Sequence, residues 1–266
     1  MALLRDIQAF VRRDALEAMR TPGFLATQLV LVITASAAAL LMGAHIEPDQ
    51  PGFLGRPAAF LLTGIMVLDL IWGTTAFSPM RAVDDQTEGM FDACRVTGTP
   101  LWRLIVLPQV FPTLLSTARC LVYGLIGSLF IHAPLHAERV PELIAVFLLA
   151  TASLGCIGIV LRSLALTIGR RLPLGLAFAA VASLCSGLFY PVTALPVIFE
   201  QIAHGLPTTW LVEGMRRSLI TGDGFAEMAD VLGWLGALTI VLVVTAMVTV
   251  KGTTHRLLRT DPTGND

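Results

Sequence analysis

The chain has 266 residues, 55% of them hydrophobic and only 14% charged, with a mean hydropathy of +0.76. Such values exclude an ordinary soluble domain and mark an integral membrane protein. The formal net charge of −1 says nothing of partners, because in a membrane chain the placement of cations decides more than their sum.

Residues 1–23, MALLRDIQAFVRRDALEAMRTPG, set Leu3, Leu4, Ile7, Phe10, Val11, Ala15 and Ala18 near one helical face, with Arg5, Arg12, Arg13, Glu17 and Arg20 elsewhere. The pattern predicts an amphipathic helix in the membrane interface, its arginines suited to an anionic leaflet; an ordinary solvated helix is the alternative. Asp14 intrudes into the apolar stripe and marks a polar contact there. Thr21-Pro22-Gly23 supplies the turn at which the chain enters the bilayer. A cleaved signal peptide fits poorly, because the charged segment is long and the apolar run after it exceeds a signal h-region.

Six apolar runs follow, at about 24–44, 58–78, 104–131, 143–161, 172–190 and 231–250, each long enough to cross ~30 Å of hydrocarbon as helix. The expected fold is all-α: one transmembrane domain over 1–266 with six spans. Arg5, Arg12, Arg13 and Arg20 precede the first span; Arg81, Arg95 and Arg103 lie between the second and third. Arg162, Arg170 and Arg171 lie between the fourth and fifth, and Lys251, Arg256 and Arg259 follow the sixth. The other side holds only Arg56, Arg139, Arg216 and Arg217, so the positive-inside rule puts both termini in the cytoplasm.

Within the spans two ionisable residues stand out, Asp69 and Arg119. Counted from the outer ends of neighbouring antiparallel spans, both fall at a depth of about 17 Å, where they can pair as a structural element or serve a substrate or proton path. Pro108 and Pro112 predict a bend in the third span. Small residues, Gly155, Gly158 and the Gly/Ala-rich fifth span, predict close helix packing.

Between the second and third spans, RAVDDQTEGMFDACRVTGTPLWRL is longer than a simple connection requires. Thr87 or Asp85 is placed to cap a short helix running through Glu88 to Arg95, with Gly98-Thr99-Pro100 ending it. A solvated loop is the alternative. After the fifth span, residues 191–227 begin as a stretch too apolar for a loop and too broken by Pro191, Pro196 and Pro207 for a span. A helical pair dipping into the outer leaflet and returning reconciles the two properties.

The four cysteines do not form a disulfide framework, since Cys94 falls in a cytoplasmic loop and Cys120, Cys156 and Cys185 in spans. Histidine and cysteine spacing suggests no metal site. No G-x-x-x-x-G-K-[ST] phosphate loop occurs.

The order SG-x-x-x-P-x-x-x-LP followed by LP-x-x-W-x-x-EG-x-R is carried by Ser186, Gly187, Pro191, Leu195, Pro196, Leu206, Pro207, Trp210, Glu213, Gly214 and Arg216. With Glu88-Gly89 in the first cytoplasmic loop, it closely resembles the type-2 ABC transporter permeases, which include drug-resistance, nodulation-factor and polysaccharide export subunits. The resemblance covers nearly the whole chain. It implies that 84–100 is a coupling helix docking on an ATPase, a role carried to Glu88, Gly89, Phe91 and Arg95, with Gly98 and Pro100 closing the segment. A basic residue often accompanies the loop glutamate in that family; here Asp85, Gln86 and Thr87 precede Glu88.

By the same resemblance the chain is a multi-pass permease subunit of a bacterial cytoplasmic (inner) membrane exporter, not itself an enzyme. ATP and Mg are expected on separate nucleotide-binding subunits, beside a second permease half that is identical or related. Cargo would be an amphiphilic or lipid-linked molecule or a drug, moved outward. Two other classes remain at this point: an ion-coupled secondary transporter using Asp69 and Arg119, and a non-transporting membrane assembly factor. No repeat of broken spans favours the former.

Overall fold

A computed structural model describes residues 2–47, 52–96, 98–130, 139–170 and 172–259, with the side chains of Ala2, Leu3, Cys94 and Arg95 excepted. All regular structure among the described residues is helical: α1 Ala2–Arg20, α2 Phe24–Ala44, α3 Pro57–Ile71, α4 Ser78–Thr87, α5 Met90–Val96, α6 Leu101–Val106, α7 Val110–Phe130, α8 Val140–Ile168, α9 Leu174–Cys185, α10 Val197–Gly205, α11 Pro207–Arg216 and α12 Ala229–Arg259.

Among the described residues, five helices are long and apolar enough to cross a membrane: α2, the run Pro57–Thr87, the run Leu101–Phe130, α8 and α12. The fifth apolar run, expected as a span over 172–190, forms only the 12-residue α9. It ends because Gly187 takes a left-handed φ of 66°, and the apolar residues beyond it turn instead of continuing the helix. Apolarity measured the greasy length correctly, but a glycine that turns the backbone cut the helix inside it.

The second span also departs from its apolar bounds. Helix continues beyond residue 78 to Thr87, interrupted only by a π-helical turn over Trp72–Ala76. The third span is interrupted at Pro108 by a 3-10 turn over Leu107–Gln109, whereas Pro112 lies within the first turn of α7. Gln109 joins the two irregularities: its Nε2 donates to the Thr74 carbonyl at 2.6 Å, and its Oε1 accepts from Ser78 Oγ at 2.7 Å. A carbonyl displaced by the π turn is thereby satisfied inside the protein.

The run containing α3 is the most buried, with α2 and α7 on one side and α9 and α11 on the other; α8 packs along α12, α4 and α11. Contact is close where small residues allow it. A Cβ on Gly64 would collide with the Leu188 carbonyl, so glycine lets α3 press against the turn after α9. Of the small residues named from sequence, Gly158 lies against Gln109, whereas a Cβ on Gly155 would meet nothing.

A second, smaller core gathers Ala82, Phe91, Leu101, Leu104, Ile105, Leu166 and Val250 at the end of the bundle that carries α1, α5 and α6. Around it, α1 lies with Asp14 turned inward and only 4% exposed, while Leu4, Leu16 and Met19 face out. Apart from Asp14, the partly buried line of α1 is mainly apolar, with Ile7, Phe10, Val11, Ala15 and Ala18, and Phe10 packs on the second core, while Arg5, Arg12, Glu17 and Arg20 are exposed.

Candidate functional site

Near the middle of the spans that contain α3 and α7 the structure brings Asp69 and Arg119 together, Nε donating to Oδ2 at 2.8 Å. Arg119 also donates through Nη1 to Gln28 of α2 and through Nη2 to Ser116 Oγ at 3.1 Å. Gly73, in the π turn, makes room: a Cβ there would strike Ser116 Oγ and crowd Arg119. The pair therefore fastens α2, α3 and α7 around one guanidinium whose three nitrogens all have acceptors.

This pair lies in the wall of a cavity of ≈ 880 Å³ bounded by α1, α2, α3, α4 and α7. Trp72, Phe77, Phe111 and Tyr123 supply aromatic wall, and Asp84, Asp85 and Glu88 line it toward the end bearing α1 and α5. Sequence reading isolates Asp69 and Arg119 but misses Gln28, Ser116 and Tyr123. Each is an ordinary polar residue in an apolar run, and only the fold reveals that they converge.

Toward that same end, Arg162 Nη2 donates to Asp85 Oδ2 at 2.6 Å and Nη1 reaches the Ser78 carbonyl at 3.4 Å. Hydropathy places Arg162 in a loop beyond the fourth span. It lies instead within α8, which extends to Ile168, and is 1% exposed. The hydropathy count stops at the charge, whereas a helix accepts a guanidinium that its neighbour neutralises. Asp85 also lies 3.9 Å from Arg13 Nη1, and Arg13 pairs with Asp14 at 2.7 Å. A continuous ionic line thus joins α1, α4 and α8. Burial raises the Asp14 carboxyl above its ordinary 3.8, with Arg13 opposing part of that rise.

The segment 84–100 is built differently from its expected form. Asp85 and Thr87 do not cap a helix; both lie in α4, where Thr87 Oγ1 donates to the Asp84 carbonyl at 2.9 Å. The break falls at Gly89, with φ 76°, and α5 follows. Glu88 is exposed at this elbow, as are Asp92, Gly98 and Pro100, and Val96 is 90% exposed. Phe91 points the other way, 4% exposed in the second core. Arg95 stands in the last turn of α5, its side chain outside the described residues, as is that of Cys94. Arg171, named among the loop cations, also lies outside them.

At the opposite end, Pro196 and Pro207 each precede or open a short helix, α10 and α11, while Pro191 precedes a 3-10 turn. Arg216, counted as a cation of the outer side, is buried at 4% exposure. It donates to the Gly187 and Leu188 carbonyls at 2.9 and 2.7 Å and lies over the Phe60 ring at 3.3 Å. Its partners are backbone carbonyls left open where α9 ends, so it closes the turn and does not mark a hydrated loop. Glu213 accepts from Arg217 Nε at 2.8 Å, and Arg217 reaches Asp230 at 3.2 Å, tying α11 to α12.

The family model for the ABC-2 type transporter matches residues 5–220, which runs from within α1 into the π turn after α11. The chain belongs to the ABC-2 type transporter family. No curated relative matches it. This ABC-2 type protein is thus an integral membrane permease subunit of an ABC transporter, with the Asp69–Arg119 cavity, the α4–α5 elbow and the Arg216 turn all inside the matched region.

Proposed function

We propose that this ABC-2 type permease is half of a bacterial cytoplasmic-membrane exporter, with both termini and the α4–α5 elbow in the cytoplasm. The elbow receives the push of a separate ATPase subunit that binds ATP and Mg. A second permease half, identical or related, completes the path, and the cargo moved outward is an amphiphilic or lipid-linked molecule or a drug.

The observation that carries this reading is the elbow's two-sided construction. Glu88 and Val96 are exposed for a partner, while Phe91 anchors the segment in the second core. Behind it, Asp85 grips Arg162 inside α8, so displacement of the elbow is delivered to a membrane helix through a short charged contact. A rigid element with one face free and the other wired into the bundle suits alternating access, in which a docked subunit biases two packings. Family membership favours this over an ion-coupled carrier or an assembly factor.

The test is co-purification of the ATPase with wild type, Glu88→Arg and Val96→Asp. Both substitutions lie on exposed positions and leave the cores intact. Recovery of the ATPase and transport-coupled ATP turnover should fall together, and undiminished recovery in both variants would remove the elbow as the coupling element.

A further inference from the structure

We propose that the cavity between α1, α2, α3, α4 and α7 binds an amphiphilic organic cation, with Asp69 facing the charge and the surrounding aromatic side chains holding the apolar body. This deepens the exporter reading by naming a cargo class, and it rests on that reading for the step from binding to transport.

Size and lining fit a bound molecule: ≈ 880 Å³ lies within the range of roughly 300–1,000 Å³ common to small-molecule sites. The Asp69–Arg119 pair is asymmetric toward this space. Arg119 directs Nε, Nη1 and Nη2 to Asp69, Gln28 and Ser116, so each nitrogen of the cation already has an acceptor. Asp69 is nine-tenths buried and, among the described residues, accepts only through Oδ2, which leaves Oδ1 without a protein partner in the cavity wall. A carboxylate oxygen in that position attracts a cation or a hydrogen-bond donor, because nothing else in the wall satisfies it.

The rest of the lining agrees. Carboxylates outnumber guanidinium groups around the cavity, with Asp84, Asp85 and Glu88 toward its α1 end. On that side Arg162 is held by Asp85 and the Ser78 carbonyl, Arg13 is held by Asp14, and Arg81 is exposed to solvent. An anion inside would meet three arginines, Arg13, Arg119 and Arg162, that already face carboxylates, with Arg81 the remaining cation at the exposed margin. Trp72, Phe77 and Phe111 present rings to the same space, and ring faces attract cations while tolerating varied apolar shapes.

The chemistry required is an ammonium or phosphonium group on an apolar body, which exported drugs and lipid ammonium headgroups share. The full chain, purified in detergent without the ATPase, is dialysed against labelled tetraphenylphosphonium and, in parallel, tetraphenylborate, which has the same shape and the opposite charge. Phosphonium should bind saturably and about tenfold or more tighter than borate, with D69N/R119Q losing about tenfold in affinity and Phe111→Leu a few-fold. D69N/R119Q removes both charges together, so no buried partner is left bare; should it fail to fold, Phe111→Leu decides. Displacement by dodecyltrimethylammonium but not by short-chain phosphatidylethanolamine identifies a soluble cargo, and the reverse identifies a lipid. Borate binding as tightly as phosphonium, or affinity unchanged in the variants that fold, would overturn the proposal. Because no ATPase is present, that failure leaves the co-purification result standing, and a failure there leaves this one standing.

Discussion

Arg162 and Asp85 form a 2.6 Å ion pair between the interior of α8 and the last turns of α4, with the arginine sealed from solvent and the aspartate partly buried. A guanidinium in that position tolerates loss of its partner poorly, since the uncompensated charge has no water to turn to. Arg162→Met and Asp85→Asn should behave differently. The former removes the expensive buried charge, while the latter strands it and should destabilise by about 3–5 kcal/mol. The double variant should be more stable than Asp85→Asn alone, as read by thermal unfolding in detergent. Strictly additive losses would show that the two residues do not act as a unit.

Orientation is tested by thiol labelling of intact cells. With the α5 end cytoplasmic, as proposed from the placement of cations, an impermeant reagent should spare Cys94 and label cysteine introduced at Asp223, in the turn after α11. A probe at Asp49 would report the same side, although that position lies outside the described residues. Strong labelling of Cys94 from outside would invert the topology.

The long apolar helices and the amphipathic start are legible because hydropathy and period are summed over many residues, and single errors average out. Helix ends are not. Helix at 78–87 is held by burial of Ala82 and Val83 and by Asp85 meeting Arg162, none of which a window of apolarity registers. Asp69 and Arg119 can be matched by depth because rise per residue is fixed. Gln28 and Ser116 cannot, since a polar residue's partner across three helices depends on rotation and packing. Arg162 and Arg216 look like hydrated loop charges for the same reason: sequence shows a charge but not the carbonyls and carboxylate folded around it.

Arg216 gives a test that separates charge from geometry. Its guanidinium spans the Gly187 and Leu188 carbonyls while its plane covers Phe60, which a single ammonium cannot reproduce. Arg216→Lys should therefore destabilise by about 1–3 kcal/mol, the range for leaving buried acceptors unsatisfied, despite conserving charge. Combining Arg216→Lys with Phe60→Leu should cost less than the two single losses added together, because each single variant already forfeits the contact between ring and guanidinium. Thermal unfolding of both single variants and the double variant measures that coupling. Lysine performing as well as arginine at this position would show that charge alone is required.

Asp14 makes the pH dependence of the α1 attachment predictable in sign. Burial on the inner side of α1 raises its folded-state carboxyl above 3.8, with the Arg13 hydrogen bond and charge opposing the shift and Asp85 adding to it. The folded protein therefore holds a proton at Asp14 more tightly than the unfolded chain does. Between the unfolded and the raised folded value, more protons are bound in the folded state, so stability from this group is fully present below the unfolded value and declines as pH rises through the folded one. Asparagine at this position keeps the shape and cannot ionise. Wild type should accordingly lose stability relative to Asp14→Asn as pH is raised from about 4 toward neutrality, then run parallel to it once the carboxyl is ionised in both states. Unfolding midpoints of the two proteins across that range provide the measurement. A wild type that gains on Asp14→Asn with rising pH would mean that the pairing with Arg13 outweighs burial and that α1 is held by a conventional ion pair.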